Sequence, residues 1–181
     1  QRRGIGQCDF QPKRRYSDWP ADVAALADAI GLDRFSVIGM SGGGGYVAVC
    51  AAKMPERLHS AVIVSGGWPM TWLKTRQDLP LPNRITWFLA SSAPVLLRPL
   101  LTTMKSGGMK DVEKELAQMA VRLPRADYEA FKAPGRVRAF AKSLAESMRH
   151  GTKGAAWDMR LYGREFDFKL EDVRFPITLF H

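Results

Sequence analysis

Gly39, Met40, Ser41, Gly42 and Gly43 stand in a row, a G-x-S-x-G set with one serine at its centre. A serine hydroxyl does acyl chemistry only when it is lifted clear of the backbone with room for a substrate beside it. Gly39 and Gly43 lack the bulk that would obstruct a sharp turn, and Gly42 leaves the backbone open to approach. Residues 35–38 (FSVI) read as a short buried strand, and residues 46–53 (YVAVCAAK) as a closely packed helix of mostly small side chains. Strand, G-x-S-x-G and helix in that order make a nucleophile elbow, which raises Ser41 above the carboxyl end of a strand. The backbone N–H of Gly42 would then donate to a developing oxyanion. The competing reading is a glycine-rich strand-to-helix turn with a bystander serine.

A phosphate cradle fits these glycines poorly. The dinucleotide pattern G-x-G-x-x-G falls out of register on residues 42–45. The acid expected about 20 positions further on is missing, because Val62, Ile63, Val64 and Ser65 occupy that region. No G-x-x-x-x-G-K-[ST] occurs. No cofactor and no metal are expected.

The elements that must hold the turn are legible on both sides of it. Ser17 or Asp18 caps a helix with Pro20 in its first turn, and Gly31 closes it. Val23, Leu26, Ala27 and Ile30 fall at i, i+3, i+4 and i+7, an apolar stripe. After the elbow helix, Pro55, Glu56 and Arg57 make a turn into a second buried strand, residues 58–65 (LHSAVIVS). Helix, strand, helix, strand with short links predicts an α/β fold, a parallel sheet with crossover helices. Past Gly66 and Gly67 the pattern changes. Residues 83–90, 94–105, 110–122, 126–132, 136–149 and 153–162 all read as helical, with acids at 111, 113 and 115 suiting a helix amino end. Trp72, Trp87, Phe88, Leu89, Leu96, Leu97, Leu100 and Leu101 make the 70–105 stretch apolar, as core or pocket lining. Residues 175–180 (FPITLF) return as a third strand. The domains expected are a core segment at 1–67, a helical insert at 68–163, and the sheet again at 164–181.

Bulk properties narrow the classes. A chain of 181 residues with 46% hydrophobic content carries one core. No apolar run approaches the about 18 residues of a membrane span, and residues 1–10 do not read as a signal peptide. Two cysteines, Cys8 and Cys50, do not suggest a disulfide framework, which fits a reducing, cytoplasmic setting. The net charge of +9 is spread out, densest at Lys13, Arg14 and Arg15, and no nucleic-acid motif accompanies it.

These residues resemble the α/β-hydrolase fold family, in its cap-bearing serine hydrolases. Residues 3–9 (RGIGQCD) are similar to the family's loop after an early strand, and residues 55–58 (PERL) to the segment before the strand following the elbow. Residues 173–181 look like the late strand ending at a histidine. Departures are Gln1 where Asp is usual, Arg3 where Pro is usual, Cys8 for Ser, and Gly45 for the proline that opens many elbow helices. A glycine at 45 is expected to weaken the helix slightly. The resemblance implies that residues 68–163 are the variable cap.

It also implies a serine, then acid, then histidine order, with acid and base beyond His181. His59 begins the second strand, at the wrong end of the sheet. His150 closes a helix, and His181 matches the family's structural histidine rather than its base. Asp78, Asp158, Asp167 and Asp172 have no better claim to be the acid. These residues thus read as the middle of a longer hydrolase. The implied activity is hydrolysis of an ester, lactone or similar small acyl substrate by Ser41, aided by the Gly42 N–H. Aminopeptidase and carbon–carbon hydrolysis stay open, whereas a serine argues against epoxide hydrolase and haloalkane dehalogenase chemistry. A noncatalytic scaffold binding a ligand or partner is the alternative. A basic nucleic-acid-binding module is the reading least supported.

Overall fold

Parallel neighbours cannot be joined by a hairpin, so a helix must carry the chain back between them. Phe35–Met40 (β1) and Leu58–Val64 (β2) are such a pair, joined through helix α2 (Gly44–Lys53) and a 3₁₀ turn at Pro55–Arg57. Ile177–Phe180 (β3) adds in parallel on the far side of β2, giving the order β1-β2-β3. The computed structural model describes residues 1–67, 69, 70, 79–99, 101, 102, 114, 117, 118, 121 and 123–181. Trp68, Trp72, Asp78, Leu100 and most of the helix expected at 110–122 lie outside them. The remaining described helices are α1 (Trp19–Ala29), α3 (Leu81–Ser92), α4 (Arg125–Lys132), α5 (Arg136–Ser147) and α6 (Lys153–Tyr162). Among the described residues no helix is long and apolar enough to cross a membrane.

The chain divides into two compact units, with the boundary inside α6. The first comprises Pro12–Ser92 and Met159–His181. Its centre is α2, buried continuously from Gly44 to Ala51, as an all-round apolar helix must be. On one side Val47, Cys50, Ala51 and Met54 pack with Leu58, Ala61 and Ile63 of β2. On the other, Tyr46, Ala48 and Val49 pack with Tyr16 and Phe168. Register puts Val37, Ala61 and Ile177 side by side on the face toward this core.

Two expectations change here. The 35–38 segment is not buried throughout: Ile38 is 75% and Met40 71% exposed. Alternate residues of a strand point to opposite faces, and α2 packs only on the Val37 and Gly39 side. The apolar stripe of α1 is also rotated. Leu26 and Ile30 are exposed, whereas Pro20 and Ala27 are buried and Trp19, Val23 and Ala24 pack on the core. Small side chains at 24 and 27 let the helix axis come close, and that outweighs burying the larger Leu26 and Ile30.

The second unit comprises Gln1–Gln11 and Ala93–Asp158. Pro94–Leu97 is a 3₁₀ turn at the start of the stretch expected to be helical over 94–105. Gly135, at φ +79, starts α5, and Phe140 of α5 meets Phe131 of α4 edge-on. The amino-terminal loop binds the start of α6. Gly4 lies backbone to backbone on Gly154, and Phe10 stands edge-on to Trp157. The Arg2 guanidinium donates to the buried Asp158 carboxylate at 2.8 Å.

Candidate active site: the strand-to-helix turn

β1 ends at Met40, the 3₁₀ turn Ser41–Gly43 follows at once, and α2 begins at Gly44. Ser41 is exposed and has φ +51, in the left-handed region that L side chains avoid. Its carbonyl oxygen is held twice, by the N–H of Gly44 and by the N–H of Gly67 at 2.7 Å. Behind the serine stands the positive, N–H-bearing end of a fully packed helix.

Three glycines of the run, Gly39, Gly42 and Gly45, are each set by a different neighbour. A Cβ on Gly39 would stand 2.5 Å from the Gly43 carbonyl oxygen and 2.7 Å from Val47 Cγ2, so the turn closes only over glycine. A Cβ on Gly45 would stand 2.7 Å from the Phe166 ring and 2.8 Å from Tyr16. Glycine at the helix start therefore serves close aromatic packing, which the expectation of a simple loss of helix stability overlooked. Gly43 has nothing within 4 Å on its Cβ side, so no described neighbour excludes bulk there. The sequence suggested an open backbone at Gly42. Instead, the phenol end of Tyr162, from the last turn of α6, occupies the space a Cβ would fill. Nothing in the spacing of the motif points to Tyr162, because the contact joins segments far apart in the chain.

The other residues singled out in the sequence scatter. Register aligns Met40, Val64 and Phe180, so Ser41 and His181 both lie at the carboxyl end of the strands. They are two strand spacings apart, about 10 Å. His59 follows Leu58, which pairs with Phe35, and so sits at the opposite, amino end of the strands. His150 lies in the turn after α5. Asp158 is paired with Arg2, Asp167 accepts from the Ser17 hydroxyl and backbone, and Asp172 ends a 3₁₀ turn at Leu170–Asp172. Cys50 in α2 is fully buried, and desolvation pushes its thiol up to about 12, so it stays protonated at neutral pH.

A parallel sheet with a crossover helix entered by a tight serine turn defines a class of α/β fold. A family model described as alpha/beta hydrolase fold matches residues 2–147, and the chain belongs to that family. Solved structures of the same fold include a hydrolase from Pseudomonas aeruginosa PA01 (19% identity, TM-score 0.58, 98% of this chain and 57% of that one). An alpha/beta hydrolase fold protein from Nakamurella multipartita aligns at 22% identity and TM-score 0.56, over 98% of this chain and 61% of that one. A thermophilic esterase from Thermogutta terrifontis aligns at 16% identity and TM-score 0.60, again over 98% and 57%. The chain thus spans about three-fifths of the length of these proteins, between 57% and 61%. No curated protein matches the sequence.

Proposed function

We propose that the protein is a serine hydrolase acting on an ester, lactone or similar small acyl substrate, with Ser41 as nucleophile. The observation that carries this is an exposed serine at φ +51 between β1 and α2. A non-glycine residue in that region is strained, and such strain is held only where the surrounding structure fixes it and clusters at active sites; at Ser41 it falls on the one serine of a G-x-S-x-G turn.

In the proposed reaction the Ser41 hydroxyl oxygen bonds to the acyl carbon while a histidine base takes its proton. The Gly42 N–H donates to the oxyanion. The base returns the proton to the leaving alcohol, and water then releases the acid from the acyl-enzyme. Base, acid and a second oxyanion donor belong to segments other than those described. Residues 68–163 act as a cap over the substrate. The free thiols Cys8 and Cys50 favour a reducing, cytoplasmic setting.

The test pairs turnover of short-chain aryl esters with labelling by an organophosphonate. Wild type labels at Ser41 by peptide mass, and Ser41→Ala loses both labelling and turnover. Wild-type turnover in Ser41→Ala would refute the assignment. Tight ligand binding with neither turnover nor labelling would make the protein a noncatalytic scaffold.

A further inference from the structure

The Gly42 N–H belongs to the peptide that joins Ser41 to Gly42, inside a run of four glycines from 42 to 45. Glycine is the least constrained residue, so this stretch has little stiffness of its own. An oxyanion donor is effective only when its direction is set before the reaction. A peptide unit is planar, so its orientation is fixed once its oxygen and both flanking Cα atoms are held, and the Ser41 Cα is held at the end of β1. The oxygen is held by the N–H groups of Gly44 and Gly67. On the Cα side, Cζ, Oη and Cε1 of Tyr162 are the nearest atoms to the position a Gly42 Cβ would take. Tyr162 is itself half-buried against the cluster of Tyr16, Tyr46, Ala48, Val49 and Phe168. It therefore joins the aromatic cluster packed on α2 to the peptide in front of that helix.

We propose that Tyr162 is a positioning residue for the oxyanion peptide, its ring edge seated on Gly42 holding the Ser41–Gly42 unit in its donating orientation. The proposal rests on the Ser41 reading above. It also explains why position 42 is glycine, because a side chain there would displace the ring that holds it.

The experiment uses the intact protein that also carries the base and acid proposed above, with kcat and KM for a short aryl ester and melting temperature for each variant. Tyr162→Ala is expected to lower kcat about ten- to a hundredfold with little change in KM, the scale of a displaced catalytic group. Tyr162→Phe keeps Cζ and Cε1 and is expected to recover most of that loss. Gly42→Ala is expected to lower the melting temperature in the wild type and much less beside Tyr162→Ala. An unchanged kcat, a loss confined to KM, or a Phe variant as slow as the Ala variant would overturn the proposal. Additive effects of Gly42→Ala and Tyr162→Ala on melting would overturn the contact itself. Phosphonate labelling of wild-type Ser41 separates the two readings. Without it the Ser41 reading fails and takes this role with it, whereas the melting cycle reports the contact in either case.

Discussion

Replacing Ser41 with glycine and with alanine separates strain from chemistry. Both variants remove the hydroxyl, and both are expected to abolish turnover. Only glycine relieves the backbone at φ +51. Holding an L-residue in the left-handed region costs about 1–2 kcal/mol. Against that, glycine has more freedom in the unfolded chain, worth about 0.4–1 kcal/mol. The net expectation is that Ser41→Gly is more stable than Ser41→Ala by roughly 0.5–1 kcal/mol. For a chain of this size that is a rise of about 1–4 °C in melting temperature. Ser41 is exposed, so the lost side chain itself contributes little to either variant. Urea unfolding followed by tryptophan fluorescence, with m-values checked for equality, measures the difference. Ser65, exposed at φ +45 after β2, is the internal comparison. Ser65→Gly should show a similar gain while phosphonate labelling at Ser41 is retained. If Ser41→Gly is no more stable than Ser41→Ala, the turn is not strained and the main support for Ser41 as nucleophile is lost.

Three further substitutions test the packing that holds this turn. Burial raises the Cys50 thiol from 9.0 to about 12, because the interior disfavours the thiolate. The folded pKa lies above the unfolded one, so this contribution is full below about pH 9 and lost as pH rises toward 12. Between about pH 8 and pH 10.5 the wild type should lose roughly 2 kcal/mol more than Cys50→Ala in urea unfolding; parallel slopes would contradict it. Gly39→Ala places a methyl 2.5 Å from the Gly43 carbonyl oxygen, and overpacking of that kind costs about 1–3 kcal/mol. Gly43→Ala, at φ −70 with open space around it, should lie within about 0.5 kcal/mol of wild type. Equal effects at the two glycines would show that crowding does not set this motif.

What was legible in the sequence is what local patterns encode. Apolar runs at 35–40 and 58–64 and a small-residue helix between them specify two parallel strands and their crossover. The G-x-S-x-G spacing marks where the sharp turn must fall. Position within the fold was not legible where two local solutions competed. The α1 pattern is satisfied by a stripe through Leu26 and Ile30 or by a flatter face through Pro20, Ala24 and Ala27. Only the closeness of α2 decides for the second. Gly45 illustrates the same limit, because by propensity it is a poor helix residue, while its real constraint is two rings from residues 16 and 166. Tyr162 was invisible for the same reason.

The glycine run makes sense only when local and tertiary effects are weighed together. Each glycine forfeits about 0.5–1 kcal/mol of helix or turn stability relative to alanine. At Gly39, Gly42 and Gly45 that loss admits a neighbour no other residue would allow: the Gly43 carbonyl, the Tyr162 phenol, and the Tyr16 and Phe166 rings. The stiffness the backbone gives up is returned by those neighbours and by the Gly67 N–H on the Ser41 carbonyl. The geometry of the serine turn is therefore a property of the packing around it. Substitutions at Tyr16, Phe166 or Tyr162 should disturb Ser41 as surely as substitutions beside it, whereas Gly43, inside the motif, should be the most forgiving position.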